Sequence, residues 1–230
     1  MALIVETRDP YTAGHQRRVA DLACAIAQEM GLSEEIIESI AMAGMIHDLG
    51  KIYIPAEILN KAGRLKAVEF DLIKAHPKAA YDILKRLEFP WPIAQMILQH
   101  HERLDGSGYP MGLKSQDIML EAKILSVADV VEAISSHRPY RVALGLDEAV
   151  NEIKSKKGIL YESDVVDACL KVLQKNGFDQ QSNRKFMQTA DFFLYKTERP
   201  QNNHRKSTYE KACEANQNKE KVTTDSRTSY

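Results

Sequence analysis

Cysteine is scarce in this chain: Cys24, Cys169 and Cys213 lie far apart among 230 residues, and no CxxC pair occurs. That excludes a disulfide framework and points to a cytoplasmic setting. Glycine and proline are also few, at 11 and 8. With 44 % apolar and 27 % charged residues, this composition excludes a collagen and a wholly disordered chain. Long apolar runs are missing. The run from Ile40 to Ile46 is far too short to span a bilayer, so no membrane segment is expected. The N-terminal MALIVETRDP meets charge at Glu6, before a signal-peptide core could form. Neither charge dominates: 31 basic and 32 acidic residues leave a net charge of −1. Such a balance gives no general reason to bind a nucleic acid polymer or anionic lipid, and leaves room for a local basic pocket that holds a phosphate compound.

What is present is helix after helix. Val19, Leu22, Ala23, Ile26, Ala27 and Met30 recur at the spacing of one helix face, and Gly31 stops that helix. Ser33 reads as an N-cap, followed by Glu34 and Glu35 where a helix favours negative charge. The second helix runs through Ile36, Ile37, Ile40, Ala43 and Ile46 and ends at Gly50, with a loop from Lys51 to about Lys66. A further helix reaches about Ala75, and Pro77 opens the next, which ends before Phe89-Pro90-Trp91-Pro92. A helix from about Ile93 carries Ile97 and His101, and a Gly-rich loop follows from Asp105 to Gly112. A long helix spans about Glu121 to Ser136, and two more lie near Asp147–Lys156 and Asp164–Asn176. No stretch alternates as a strand would, so the fold class is an all-α helical bundle. Residues 1–177 form its body. Residues 178–196, with Phe186, Phe192, Phe193 and Leu194, read as a last helix packing back on it, and 197–230 as a disordered polar tail.

Histidine carries the chemical signal. His15, His47, His76, His100 and His101 fall on the helical segments or at their ends, and the steps from His15 to His47, His76, His100 and Asp129 are 32, 29, 24 and 29 residues. Each step is about one helix and a turn, so each element can contribute one inward ligand, as in bundle-core metal sites. Asp129 sits in the apolar run Val127-Ala128-Asp129-Val130-Val131. A buried unpaired carboxylate costs several kcal/mol and needs a cation. Neighbours on a helix diverge by ~100°, so His100 and His101 are expected to serve two ions side by side, with Asp48 bridging them. Imidazole and carboxylate together suit Fe, Mn, Ni or Zn, and two such ions ~3.5–4 Å apart are an arrangement for phosphoester hydrolysis. Lys51, four residues after His47, is either a cation at a helix C-terminus or a charge aimed at the metal site. The segment 101–110, HERLDGSGYP, is either a turn or a mobile loop in which Tyr109 offers its ring to a base or a partner. Arg138 and Arg141, in RPYR, could grip phosphate or a guanine edge.

These stretches also resemble a known family. DPYTAGHQRRV (9–19), HDLGKI (47–52), PAEILNKAGRL (55–65), HP (76–77), HHERLDGSGYPMGL (100–113), AKILSVADVVEA (122–133) and RPYR (138–141) are similar, in order and spacing, to HD-GYP domains, a bacterial branch of the HD phosphohydrolases. The resemblance implies an all-α bundle of the HD-domain type with a metal site in its core, and a metal-dependent phosphodiesterase. Its substrate would be cyclic di-GMP, hydrolysed to the linear dinucleotide or GMP by a metal-bridging hydroxide. The implied ligands are His15, His47, Asp48, His76, His100, His101 and Asp129. Asp48 and Lys51 would be catalytic, with Lys51 near the scissile phosphate. Lys51, Tyr109, Arg138 and Arg141 would contact substrate, and Gly108, Tyr109 and Pro110 would contact ligand or dock diguanylate cyclase domains. The implied cofactors are two divalent ions, Fe or Mn before Ni or Zn, and a dimer is compatible with the pattern. Tyr11 stands where three-metal members have a Glu four residues before the first His, which favours two metals. Ala80, Ser115 and Met119 replace a usual Gly, Gly and Pro and touch packing or loop shape. The chain opens almost at the motif, so it reads as an output domain without its regulator or as a stand-alone form. Two other readings fit the same motifs: an HD hydrolase acting on another nucleotide, and a cyclic di-GMP sensor or cyclase-docking module.

Overall fold

The apolar stripe read at Val19, Leu22, Ala23, Ile26 and Ala27 is buried on helix α1 (His15–Glu29) in the computed structural model, which describes residues 14–61, 63–136 and 145–175. Its partner is α2 (Glu34–Ile46), which inserts Ile37, Ile40 and Ala43 against it. Ser33 caps α2 as its position requires: its side chain accepts the Ile36 N–H at 3.5 Å, with Glu34 and Glu35 in the first turn. Short helices follow: α3 (Ala56–Leu59), α4 (Ala67–Lys74), α5 (His76–Leu84) and α6 (Ile93–Gln99). The longest is α7 (Leu120–Ser135), and α8 (Leu146–Ser155) and α9 (Ser163–Lys175) complete the described elements. Helix α7 lies at the centre, packed on α1, α2, α6, α8 and α9. Ile26, Ile40, Ile97, Ile124 and Leu125 are essentially excluded from solvent, each contributing about 1.5–3 kcal/mol by burial. Among the described residues there are no strands, only isolated bridges at Asp105–Lys114 and Lys157–Tyr161. The all-α expectation therefore holds.

Three local expectations are corrected. The second helix ends at Ile46, not Gly50. The Gly44 carbonyl, which a continuing helix would offer to the backbone, is taken by the His47 ring, and the Lys51 N–H turns to the Asp48 carbonyl at 2.9 Å. Leu49–Tyr53 is consequently a 3-10 turn, and the stretch read as a loop from Lys51 contains that turn and α3. The helix from Ile93 ends at Gln99, so His101 lies beyond it. A Cβ on Gly50 would sit 1.9 Å from the His76 carbonyl oxygen and 2.8 Å from the Ala80 nitrogen. Only glycine lets the 3-10 turn press directly on the start of α5, and this contact brings His47 and Asp48 to His76. Residues 178–196 and 197–230, read as a last helix and a tail, lie outside the described residues, as does RPYR at 138–141.

Candidate metal centre

Three of the histidines are held by one device. His47 lies just after α2, His76 just after α4 and His100 just after α6. Each ring donates Nδ1–H to the carbonyl three residues back: Gly44 at 2.7 Å, Ile73 at 2.7 Å and Ile97 at 2.6 Å. Those carbonyls belong to last helical turns, where they have no intrahelical partner. The bond fixes the tautomer and leaves Nε2 as a lone-pair donor. All three Nε2 atoms are buried and make no hydrogen bond. An orphaned buried nitrogen is costly, and three of them converge here.

Two carboxylates stand between these rings. Asp48 turns Oδ2 to His15 Nε2 at 3.7 Å and to His47 Nε2 at 3.6 Å, and Oδ1 to His76 Nε2 at 3.5 Å. Asp129, on α7, turns Oδ1 to His15 Nε2 at 3.3 Å and His47 Nε2 at 3.9 Å, and Oδ2 to His101 Nδ1 at 3.9 Å. Three donor groups result, each with its ligand atoms within 4.8 Å of one another: His15, His47 and Asp129; His47, Asp48 and His100; His76, His100 and His101. The set fits divalent metal, and each carboxylate has oxygens facing different groups. His100 and His101 do not diverge as helix neighbours would. The helix has ended, and their ring centroids lie 4.0 Å apart, so both fall in one donor group.

Electrostatics follow the burial. Desolvation drives the imidazoles of His76 and His100 down to about 4 and about 3. Burial works against a charged His15, yet hydrogen bonds to Asp129 and Glu132 outweigh it and raise this ring to about 9. Burial alone would also raise Asp48. Lys51, with His47, His76 and His15, overcomes it and holds the carboxyl well below the usual range. The Lys51 ammonium lies 2.6 Å from Asp48 Oδ2. It arrives on the 3-10 turn rather than along a continued helix face.

Two buried carboxylates are not singled out by the sequence. Glu132, one turn beyond Asp129, is 5 % exposed. It accepts from His15 Nδ1, from Arg18 Nε at 2.7 Å and from Ser136 Oγ at 2.7 Å. The argument that singles out Asp129, a carboxylate in an apolar helix, applies equally to it. Glu102, 3 % exposed beside His101, accepts the backbone N–H groups of Met111 at 2.7 Å and Leu113 at 2.9 Å. It ties down the Gly-rich loop. Gly108 lies so close to the chain at Glu102–Arg103 that a Cβ would come within 2.4 Å of the Arg103 nitrogen. Tyr109 is thereby laid against His101, ring centroids 4.8 Å apart, and Pro110 beside it is exposed. Arg138 and Arg141 lie outside the described residues.

A family model described as an HD domain matches residues 1–165. The chain belongs to the HD domain family. This HD domain is 44 % identical over 172 residues to a protein of Thermotoga maritima named "Cyclic di-GMP phosphodiesterase", covering 74 % of this chain and 47 % of the relative. It is 41 % identical over 173 residues to the "Cyclic di-GMP phosphodiesterase response regulator RpfG" of Xanthomonas campestris, covering 74 % and 46 %. To the "3'3'-cGAMP-specific phosphodiesterase 1" of Vibrio cholerae it is 37 % identical, over 66 % of this chain and 35 % of the relative. The chain thus spans about half the length, or less, of the curated relatives it matches. Among solved structures, the HD-domain fold recurs in an HDG"Y"P protein of Bdellovibrio bacteriovorus, with a TM-score of 0.58 and 20 % identity over 70 % of this chain and 51 % of that one. The described helices contain no segment long and apolar enough to cross a membrane.

Proposed function

We propose that this HD domain is a cyclic-dinucleotide phosphodiesterase that hydrolyses cyclic di-GMP to the linear dinucleotide or GMP. The observation that carries this is the pair Asp48 and Asp129, each with oxygens turned to different histidine groups around three orphaned Nε2 atoms. The names of the Thermotoga and Xanthomonas relatives support the substrate. His15, His47, Asp48, His76, His100, His101 and Asp129 would hold two divalent metals, with Fe or Mn preferred and Ni or Zn compatible with these donors. Bound there, the metals would polarise the phosphate and activate water for attack.

The chain's own residues do the rest. Asp48 is kept ionised by Lys51, so it is ready as a ligand at neutral pH. The Lys51 ammonium also stands at the edge of the centre, where it can stabilise or protonate the departing ribose oxygen. Tyr109 forms a wall over His101 against which a base can lie. Arg138 and Arg141 would grip the remainder of the dinucleotide. The Gly108–Pro110 turn would offer a face to diguanylate cyclase domains, and a cytoplasmic location and a dimer fit this role. Residues 1–177 would form the catalytic domain, 178–196 its last helix and 197–230 a tail.

A second reading concerns substrate alone. The Vibrio relative named as specific for 3'3'-cGAMP favours another cyclic dinucleotide at the same centre. The test is anaerobic turnover of cyclic di-GMP, 3'3'-cGAMP and cyclic di-AMP by Mn- or Fe(II)-loaded protein, with products separated by chromatography and bound metal assayed. Cleavage of cyclic di-GMP with about two metals per chain, lost together in Asp48→Ala, is the expected result. Metal-loaded, folded protein that leaves cyclic di-GMP intact would overturn the assignment, and cleavage of another member of the panel would replace it.

A further inference from the structure

Beside the metal centre the structure opens a second space. A cleft of about 490 Å³ runs between the 3-10 turn, α3 and α4, within the ~300–1,000 Å³ typical of small-molecule sites. Lys51 lines it and also touches Asp48. Ile73 lines it too, and its carbonyl holds the His76 ring. The cleft therefore adjoins the centre, with Lys51 standing between the two.

Its lining has the character of a nucleotide site. Ile58, Ile73 and Phe70 give apolar walls, and Phe70 is 44 % exposed. An aromatic ring left this open on a helix with no buried residue contributes little to the core. Two cations line the cleft, Lys61 and Arg64. Both Glu69 oxygens lie 2.6 Å from the Lys61 ammonium and neutralise it. Arg64 makes no ion pair among the described residues, so one guanidinium charge is left over, beside an apolar wall. That combination suits a planar base joined to a single phosphodiester. A cyclic dinucleotide has two phosphodiesters, and only one can lie over the metal centre during hydrolysis.

We propose that this cleft receives the half of a cyclic dinucleotide that is not being cut, with Phe70 walling its base and Arg64 meeting its second phosphodiester. The inference rests on the proposed phosphodiesterase activity and adds to it a specificity site built by α3, α4 and the turn between them. It assigns binding to a segment, 58–73, that the metal chemistry leaves without a role.

The test uses full-length, Mn-loaded protein and the variants Arg64→Ala and Phe70→Ala, both at exposed side chains. Ile159, exposed and outside the cleft's lining, supplies the control, Ile159→Ala. Steady-state rates are taken on cyclic di-GMP and on bis(p-nitrophenyl) phosphate, a diester too small to reach the cleft from the centre. Equilibrium binding is measured with a hydrolysis-resistant phosphorothioate analogue of cyclic di-GMP. Arg64→Ala should lower the ratio of kcat/KM for cyclic di-GMP over the small diester about tenfold, chiefly through KM, and weaken analogue binding by a similar factor. Phe70→Ala should act in the same direction, and Ile159→Ala should change neither. Cyclic di-GMP cleaved with unchanged KM and unchanged analogue binding in both cleft variants would overturn this inference and leave the phosphodiesterase standing. Wild-type protein that cleaves the small diester but neither binds nor cleaves the cyclic dinucleotide would overturn both.

Discussion

The carboxylate of Glu102 accepts the backbone N–H of Met111 at 2.7 Å, nine residues along the chain. With the matching bond to Leu113 at 2.9 Å, it pins the far side of the Gly-rich loop to the residue next to His101. Glu102→Gln keeps the shape and removes one acceptor oxygen, leaving an amide N–H facing an NH2 group. The cost expected is about 1–3 kcal/mol. The specific signature is faster hydrogen exchange at Met111 or Leu113, with the amides of α7 unaffected. Unchanged protection at both loop amides would refute the role given to Glu102.

Glu132 plays a different part. It orients His15 through Nδ1 while Arg18 and Ser136 hold the carboxylate in place. Partners of this kind behind metal-binding histidines typically matter 10–100-fold in affinity or activity. Glu132→Gln should therefore release metal about 10–100-fold more readily in a chelator competition, with the helical spectrum preserved. Wild-type retention of metal by this variant would refute the prediction.

Gly50→Ala tests the contact that assembles the site. Its Cβ would fall 1.9 Å from the His76 carbonyl oxygen, a backbone atom that cannot swing aside. The turn and α5 must then separate, at about 3 kcal/mol or more. Urea denaturation should show this loss, and metal stoichiometry should fall with it. A stable, fully loaded Gly50→Ala protein would contradict the packing described.

The buried rings make metal-free protein sensitive to pH in a defined sense. In the folded chain His76 titrates at about 4 and His100 at about 3, against an ordinary 6.5. Between these values the unfolded chain binds protons that the folded chain refuses, so stability falls as pH falls below 6.5. His15, raised to about 9, acts oppositely: its contribution is complete below pH 6.5 and is lost as pH rises towards 9. A stability maximum near pH 6.5 is expected for chelator-treated protein, with a loss of at least about 2 kcal/mol by pH 4. Urea midpoints across pH 4–9 measure it, and stability that rises on acidification would contradict it.

Much of this architecture is legible in the sequence, and the gaps have physical causes. Helices α1, α2, α7, α8 and α9 are long enough for their apolar stripes to repeat; α7, α8 and α9 fall within one residue of their expected bounds, whereas α2 stops four residues short of Gly50. Helix α3 has four residues, too few to show any period, and it disappeared into a loop. The convergence of His100 and His101 depends on where α6 stops, and a difference of two residues there changes the expected geometry. Glu102 and Glu132 went unnoticed because surface glutamates are common, and only burial separates these two from the rest. His15, His47, Asp48, His76, His100, His101 and Asp129 stand out in the sequence because imidazole and carboxylate are unusual on apolar helices, and the structure brings their donor atoms together.

The histidines seated at helix ends have a consequence for how the molecule assembles. Donors from positions 15, 47, 76, 100 and 129 meet only when four long loops have closed and the helices have docked. No partial structure contains the pair of carboxylates and the three free nitrogens together. A divalent ion consequently gains its full coordination only in the assembled core, and its contacts are expected to form late in folding. By mass action it then deepens the native well, and a contact formed this late slows unfolding while leaving the folding rate alone. Loaded protein should persist by the height of its exit barrier, and stripping the ion should shorten its lifetime without impairing its return.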